Sequence, residues 1–300
     1  MRVRLIVSPY DSGQHLQRMG CGPDRLLDRG LVSALEAAGH VLQLYRIELD
    51  DGFPSEIAGG FAAMRAVARE VRSAVESGAF PVVLAGNCNT TVGAVAGLGV
   101  ERTGVLWLDA HGDINTPDST ATGFLDGMGV AILTGHAWTT VARSIPGFAP
   151  LREDCMILAG TRDLDAEEEA LLARSGVIQV GEAAIRVAGA EAALGTALAD
   201  LAGRVGTLHL HLDLDVHDPD FAPANHFRPP GGLSTAEVAA CIETAVDLLP
   251  LGSLAVTAYD PSVDPTGITA DAAVTYICRS VEAAARPSAT GVHTALSERE

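Results

Sequence analysis

The chain has 300 residues, 48% of them hydrophobic, with a formal net charge of −18 and a pI near 4.8. That length and apolar content are enough to bury a sizeable core, and so large an acidic excess argues against nucleic acid or an anionic membrane surface as partner. Five scattered cysteines (Cys21, Cys88, Cys155, Cys241, Cys278) form no CxxC pair and total an odd number, the usage of a reducing compartment rather than a disulfide framework. The N-terminal MRVRLIVSPYDSG holds an apolar run too short for a signal peptide, and no stretch approaches a membrane span. A soluble, cytoplasmic protein is expected. Every one of the twenty cations is arginine, which reads as nucleotide composition rather than mechanism.

Residues 3–7 read as a first strand, followed by a polar, glycine-containing loop over 9–22 and one helix over 24–39, with Gly39 as its C-cap. A second strand is expected at 41–45 and a helix at 61–77, stopped by Gly78. Residues 81–85 form a short apolar strand leading into Gly86-Asn87-Cys88-Asn89 and a small-residue helix. Further strands are expected at 105–108, 155–159, 177–180, 208–212 and 254–257. Strands alternating with helix-sized segments indicate an α/β protein with a mainly parallel sheet. In open sheets of this type the site lies beyond the carboxyl ends of the strands, and polar clusters follow Ala85, Leu108, Ala159, Leu212 and Thr257. One site built from five strand ends, in a single domain spanning residues 1–300, is the economical reading, since no repeat, linker or boundary is evident.

The most informative stretch is WLDAHGDINTPDSTATGFLD, residues 107–126. After a buried-strand run it presents Asp109, His111 and Asp113 at two-residue spacing, a set of hard oxygen ligands with one nitrogen that suits a divalent ion such as Mn²⁺. A second cluster, His211, Asp213, Asp215, Asp218 and Pro219, follows another apolar run. A lone Asp in such a place is more often a turn or a helix cap; two clusters after two strands point instead to one site holding two metals.

These motifs resemble those of the arginase (ureohydrolase) family. Its DAHxD motif is present in full at Asp109–Asp113, its SxDxDxxDP motif corresponds to His211–Pro219, and its GGDHS motif to Ala85–Asn89. The APA and GGLS segments (Ala222–Ala224, Gly231–Ser234) and the opening SPYDSGQ and GPDRLLDRGL match in order, so the resemblance spans nearly the whole chain. It implies a three-layer αβα fold with the metal site at the C-terminal ends of the strands, and two Mn²⁺ ions. One would be held by Cys88, Asp109, Asp113 and Asp213 and the other by Asp109, His111, Asp213 and Asp215, with Asp109 and Asp213 bridging. A guanidine carbon is a poor electrophile and water a poor nucleophile at neutral pH; two adjacent metals lower the pKa of a shared water. Homo-oligomers, trimers or hexamers, are usual in the family. His209 and His217 match no family role and read as packing or solvent-facing histidines.

The resemblance also assigns a substrate-binding set. Asn115, Thr120 and Thr122 match positions that hold an α-carboxylate; Asp165 matches the one that binds the α-amino group directly, and Glu168 one that does so through water. The partner implied is a small guanidino amino acid. Three positions depart from the family. Cys88 stands in place of a metal-binding histidine, a softer ligand that implies weak or asymmetric loading. Asp126 stands where arginases carry a proton-shuttling histidine and, with Asp113, is a candidate catalytic carboxylate, with His136 ranked lower as a substitute. Ala258 stands where a glutamate pairs with a cationic guanidinium, with Asp260 and Asp264 nearby as compensators. An N-hydroxyl makes a guanidine less basic, so a hydroxyguanidine would miss that glutamate less. His226-Phe227-Arg228 replaces a Gly-Thr-Pro at the site mouth and implies a narrower entrance. Cys88 with a retained amino-acid loop resembles the branch of the family that cleaves Nω-hydroxy-L-arginine to L-ornithine and hydroxyurea in D-cycloserine (antibiotic) biosynthesis. Ordinary arginase, another guanidino-acid hydrolase and a catalytically dead binding relative are the alternatives; the intact DAHxD argues against the deacetylases that share the general fold.

Overall fold

The computed structural model describes residues 1–50 and 52–286. Eight strands build one sheet: β1 (Arg2–Ser8), β2 (Val41–Arg46), β3 (Phe80–Ala85), β4 (Thr103–Leu108), β5 (Met156–Ala159), β6 (Ile178–Val180), β7 (Thr207–Asp213) and β8 (Leu251–Thr257). Their order is β2-β1-β3-β8-β7-β4-β5-β6, and every neighbouring pair is parallel. Successive side chains of a strand point to opposite faces. On β1, Val3, Leu5 and Val7 enter one apolar cluster while Ile6 enters another with Val67, Val71 and Ala255, so helices cover both faces of the sheet. The result is the expected three-layer α/β fold. Edge strand β2 is largely exposed, whereas β3 and β4 are buried along their whole length.

The helices follow their caps. The helix expected at 61–77 spans Glu56–Glu76, because Ser55 caps it by accepting the Ala58 N–H at 3.2 Å, upstream of where its apolar period becomes visible. The single helix expected over 24–39 is two, Gly22–Asp28 and Leu31–Ala37, because Gly30 takes the left-handed conformation at φ 89° between them. Thr90–Leu98 is the small-residue helix after β3; it packs against Glu56–Glu76, and a side chain at Gly93 or Gly97 would collide with that helix's backbone. Gly86 has a similar role at the end of β3, where a Cβ would run into the carbonyl of Tyr10. These close approaches seat the Asn87–Asn89 turn against the ends of the neighbouring strands. No described helix is long and apolar enough to cross a membrane.

Candidate metal centre and substrate cavity

The strands β3, β8, β7 and β4 lie side by side, and the segments leaving them converge on a cavity of about 280 Å³. Cys88, from the turn after β3, faces it together with His111, Asp113, Asp126, Asp213, Asp215 and Ala258; Asp109 is fully buried behind this wall. Asp109 leaves β4 with both oxygens engaged, Oδ1 accepting the His111 N–H at 2.7 Å and Oδ2 the Trp107 indole N–H at 2.9 Å. Asp213 closes β7; it accepts the Asp215 N–H at 2.6 Å through Oδ1 and the Cys88 thiol at 2.8 Å through Oδ2. His111 Nδ1 stands 3.4 Å from Asp109 Oδ1 and 3.3 Å from Asp215 Oδ2.

Two donor triples result. Asp109, His111 and Asp215 form one, and Cys88, Asp109 and His211 the other, each with ligand atoms within 4.8 Å of one another. Asp113 and Asp213 share the cavity wall but belong to neither triple. Asp113 adopts φ 48°, the left-handed region that a side chain rarely enters. It is held there by its carbonyl, which accepts the N–H groups of Val130 and Ala131 at 2.8 and 3.2 Å.

The electrostatics fit cations. Burial raises the carboxyls of Asp109, Asp113 and Asp213, and their carboxylate neighbours raise them further. Burial also opposes charge on Asp215 and His111, but the attraction between the two outweighs it, holding Asp215 at about 2 and raising the imidazole. Burial, then Asp213, pushes the Cys88 thiol well above its ordinary value. Asp113 Oδ2 is buried without a hydrogen-bond partner among the described residues. Divalent cations would offset this crowding of negative charge and engage the orphaned oxygen, so the residues present fit a two-metal centre.

Asp126 is buried in the same wall. Oδ1 accepts the Asn89 N–H at 2.9 Å and Oδ2 the Asn87 amide at 2.8 Å, yet burial prevails over these two bonds and raises its carboxyl to about 8. His136 is elsewhere, paired at 2.6 Å with Glu153, and does not line the cavity.

Of the substrate set, Asn115, Thr122, Asp165 and Glu168 line the cavity. Thr120 does not; its hydroxyl accepts the Gly123 N–H at 3.0 Å and so shapes the loop. Asp165 and Glu168 also have structural work that their spacing foreshadows: they form a capping box on helix Ala166–Arg174. Asp165 Oδ1 accepts helix N–H groups while Oδ2 accepts the Asn115 amide at 2.9 Å. Buried Glu168 accepts the Ile114 N–H, tying this helix to the DAHxD loop. Asp260 and Asp264 do not line the cavity. Asp264 is committed to Tyr259 OH and the N–H groups of residues 267–270, and Asp260 to Ser262 N–H. Neither stands in for the missing glutamate. At the mouth Phe227 stacks on Phe124 with ring centroids 5.3 Å apart, both lining the cavity.

His209 and His217 are buried and hydrogen-bonded to Ser253 and to Leu214 O and Tyr276, respectively, in keeping with packing roles. The sequence reading passed over Asn225, which donates to Asp215 Oδ2 at 3.2 Å and to Ala258 O at 2.9 Å and so couples two strand ends. Its position directly after the APA segment was the available signal. Asn87, which positions Asp126, was likewise unmarked.

The arginase family model matches residues 1–281, and the chain belongs to the arginase family. It is an amidinohydrolase of that family. The arginase of Bacillus caldovelox is 28% identical over 287 residues, covering 91% of this chain and 95% of that one. The arginase of Bacillus subtilis is 27% identical over 283 residues, with 91% and 95% covered. A crystal structure of the Bacillus subtilis enzyme superposes with a TM-score of 0.85 at 25% identity over 96% of this chain and 100% of that one. The agmatine ureohydrolase of Thermoplasma volcanium shares the fold, with a TM-score of 0.68 at 19% identity and 94% and 89% covered.

Proposed function

We propose that this chain hydrolyses Nω-hydroxy-L-arginine to L-ornithine and hydroxyurea, with two divalent ions in the cavity, manganese at the position of Asp109, His111 and Asp215. The observation that carries the reading is a single cavity lined by the carboxylates Asp113, Asp213 and Asp215 and by Asn115, Thr122 and Asp165, but by the methyl group of Ala258 where a guanidinium partner is expected. Cys88, Asp113 and Asp213 complete the ligand set. Bound cations supply Lewis acidity that makes hydroxide available at neutral pH.

The chain's own groups do the rest. Asn115 and Thr122 take the α-carboxylate, and Asp165, whose Oδ2 keeps a second lone pair beyond its bond from Asn115, takes the α-ammonium, with Glu168 supporting it. Recognition at both ends holds the guanidine carbon near the nucleophile. Attack breaks the C=N character of the guanidine, and the tetrahedral carbon then expels the δ-nitrogen of ornithine, which leaves only when protonated. Asp126, whose carboxyl burial raises, supplies that proton. The Phe124–Phe227 pair narrows the mouth and limits water entry.

The relatives named arginase favour a second reading, cleavage of L-arginine itself. Ornithine release from Nω-hydroxy-L-arginine and L-arginine, measured side by side with Mn²⁺ supplied, decides between them. Preference for the hydroxylated substrate is expected. Preference for arginine makes Cys88 and Ala258 tolerated drift, and ornithine from neither moves the chain to another guanidino acid or to a binding role.

A further inference from the structure

His211 occupies the serine position of the SxDxDxxDP motif, one pleat below Asp213 on the same face of β7. Its ring is fully buried and stacks on Trp107 with centroids 3.7 Å apart. The same Trp107 donates to Asp109, so ring and carboxylate are held by one indole. Nδ1 pairs with the Thr91 hydroxyl at 2.7 Å, whereas Nε2 is buried with no hydrogen-bond partner among the described residues. A buried nitrogen left unpaired is destabilising. The ring offers a nitrogen within 4.8 Å of the Cys88 sulfur and an Asp109 oxygen. Ligand atoms around a single ion with bonds of about 2.0–2.3 Å stand roughly 3.3–3.8 Å apart, so about 1 Å of side-chain adjustment closes the set.

We infer that His211 is a metal ligand, joining Cys88 and Asp109 in a sulfur–nitrogen–oxygen site behind the cavity wall. The reading rests on the two-metal centre proposed above and deepens it. The imidazole missing at position 88 is supplied from β7, which β8 separates from β3, and Thr91 orients it, as the partner of a ligating histidine's second nitrogen does. A thiolate and an imidazole together make this site soft. It favours Zn²⁺, Co²⁺ or Fe²⁺ over Mn²⁺, while the Asp109–His111–Asp215 position keeps its harder donors.

The test is Co²⁺ titration of the chelator-stripped, full-length protein, read by absorption and by bound metal per chain, for wild type, His211→Ser, Thr91→Val and Cys88→Ser. Wild type should bind two equivalents, one showing the near-ultraviolet thiolate-to-cobalt band and intense visible bands of low coordination number. His211→Ser should weaken that equivalent alone by at least about 100-fold, and Thr91→Val by about 10-fold, with the other equivalent unchanged. Circular dichroism and a thermal melt establish that each variant is folded. If His211→Ser binds both equivalents with wild-type affinity and spectrum, His211 is no ligand, although the two-metal reading stands. If His211→Ser does not fold, the Thr91→Val result decides in the same way. If wild type takes up no cobalt and no manganese, both readings fall.

Discussion

Replacing Ala258 by glutamate should turn the substrate preference toward arginine. Ala258 is buried in the cavity wall at φ 60°, a conformation that already carries a Cβ, so the longer side chain adds no new backbone strain there. Asn225 fixes its carbonyl at 2.9 Å, which keeps the backbone where it is. A charge-assisted hydrogen bond from a guanidinium to the new carboxylate contributes about 1.5–3 kcal/mol, which is about 10- to 150-fold in KM for L-arginine. The less basic hydroxyguanidine gains little, less than about threefold. The assay is initial-rate ornithine release with both substrates, taken as the ratio of their kcat/KM values, with metal content and a thermal melt confirming an intact protein. An unchanged ratio in a folded, metal-loaded A258E variant would refute the reasoning that the missing carboxylate sets specificity.

Asp126→Asn removes the proposed proton donor and should lower kcat by about 10²- to 10⁴-fold with metal content unchanged. A carboxyl raised to about 8 carries its proton below that pH, and cations in the same cavity pull the value down. The alkaline limb of wild-type kcat should therefore lie at or below about pH 8 and disappear in D126N; an identical limb in the variant assigns it to another group. His209 gives a stability prediction. Burial lowers its imidazole to about 3, so the folded protein binds fewer protons than the unfolded one. The stability this contributes is intact above the unfolded value near 6.5 and is lost as pH falls toward 3. Between pH 7 and 5 wild type should lose about 2 kcal/mol more than His209→Gln in urea unfolding; equal losses would mean that His209 is protonated at no cost.

Much of the candidate site was legible in the sequence because its candidate ligands are anchored to strand ends. Asp109, His111, Asp113, Asp213 and Asp215 each follow an apolar run, and a parallel α/β sheet delivers such residues to one edge whatever the details of packing. The sheet itself was equally plain, because strands covered on both faces read as nearly continuous apolar runs, as in Phe80–Ala85 and Thr103–Leu108. Local spacing also foreshadowed the Asp165–Glu168 capping box, although not that Asn115 would bond its outer oxygen. Only the tertiary structure decided the remainder. Whether Thr120 or Thr122 faces the cavity depends on how the loop folds back on itself, and whether Asp264 is free depends on a helix start that consumes its oxygens. The approach of Cys88 to His211 depends on the strand order that puts only β8 between β3 and β7, and on helix Thr90–Leu98, whose Thr91 hydroxyl meets the His211 ring. Contacts between residues more than a hundred positions apart are set by how layers pack, and no pattern within one segment encodes them.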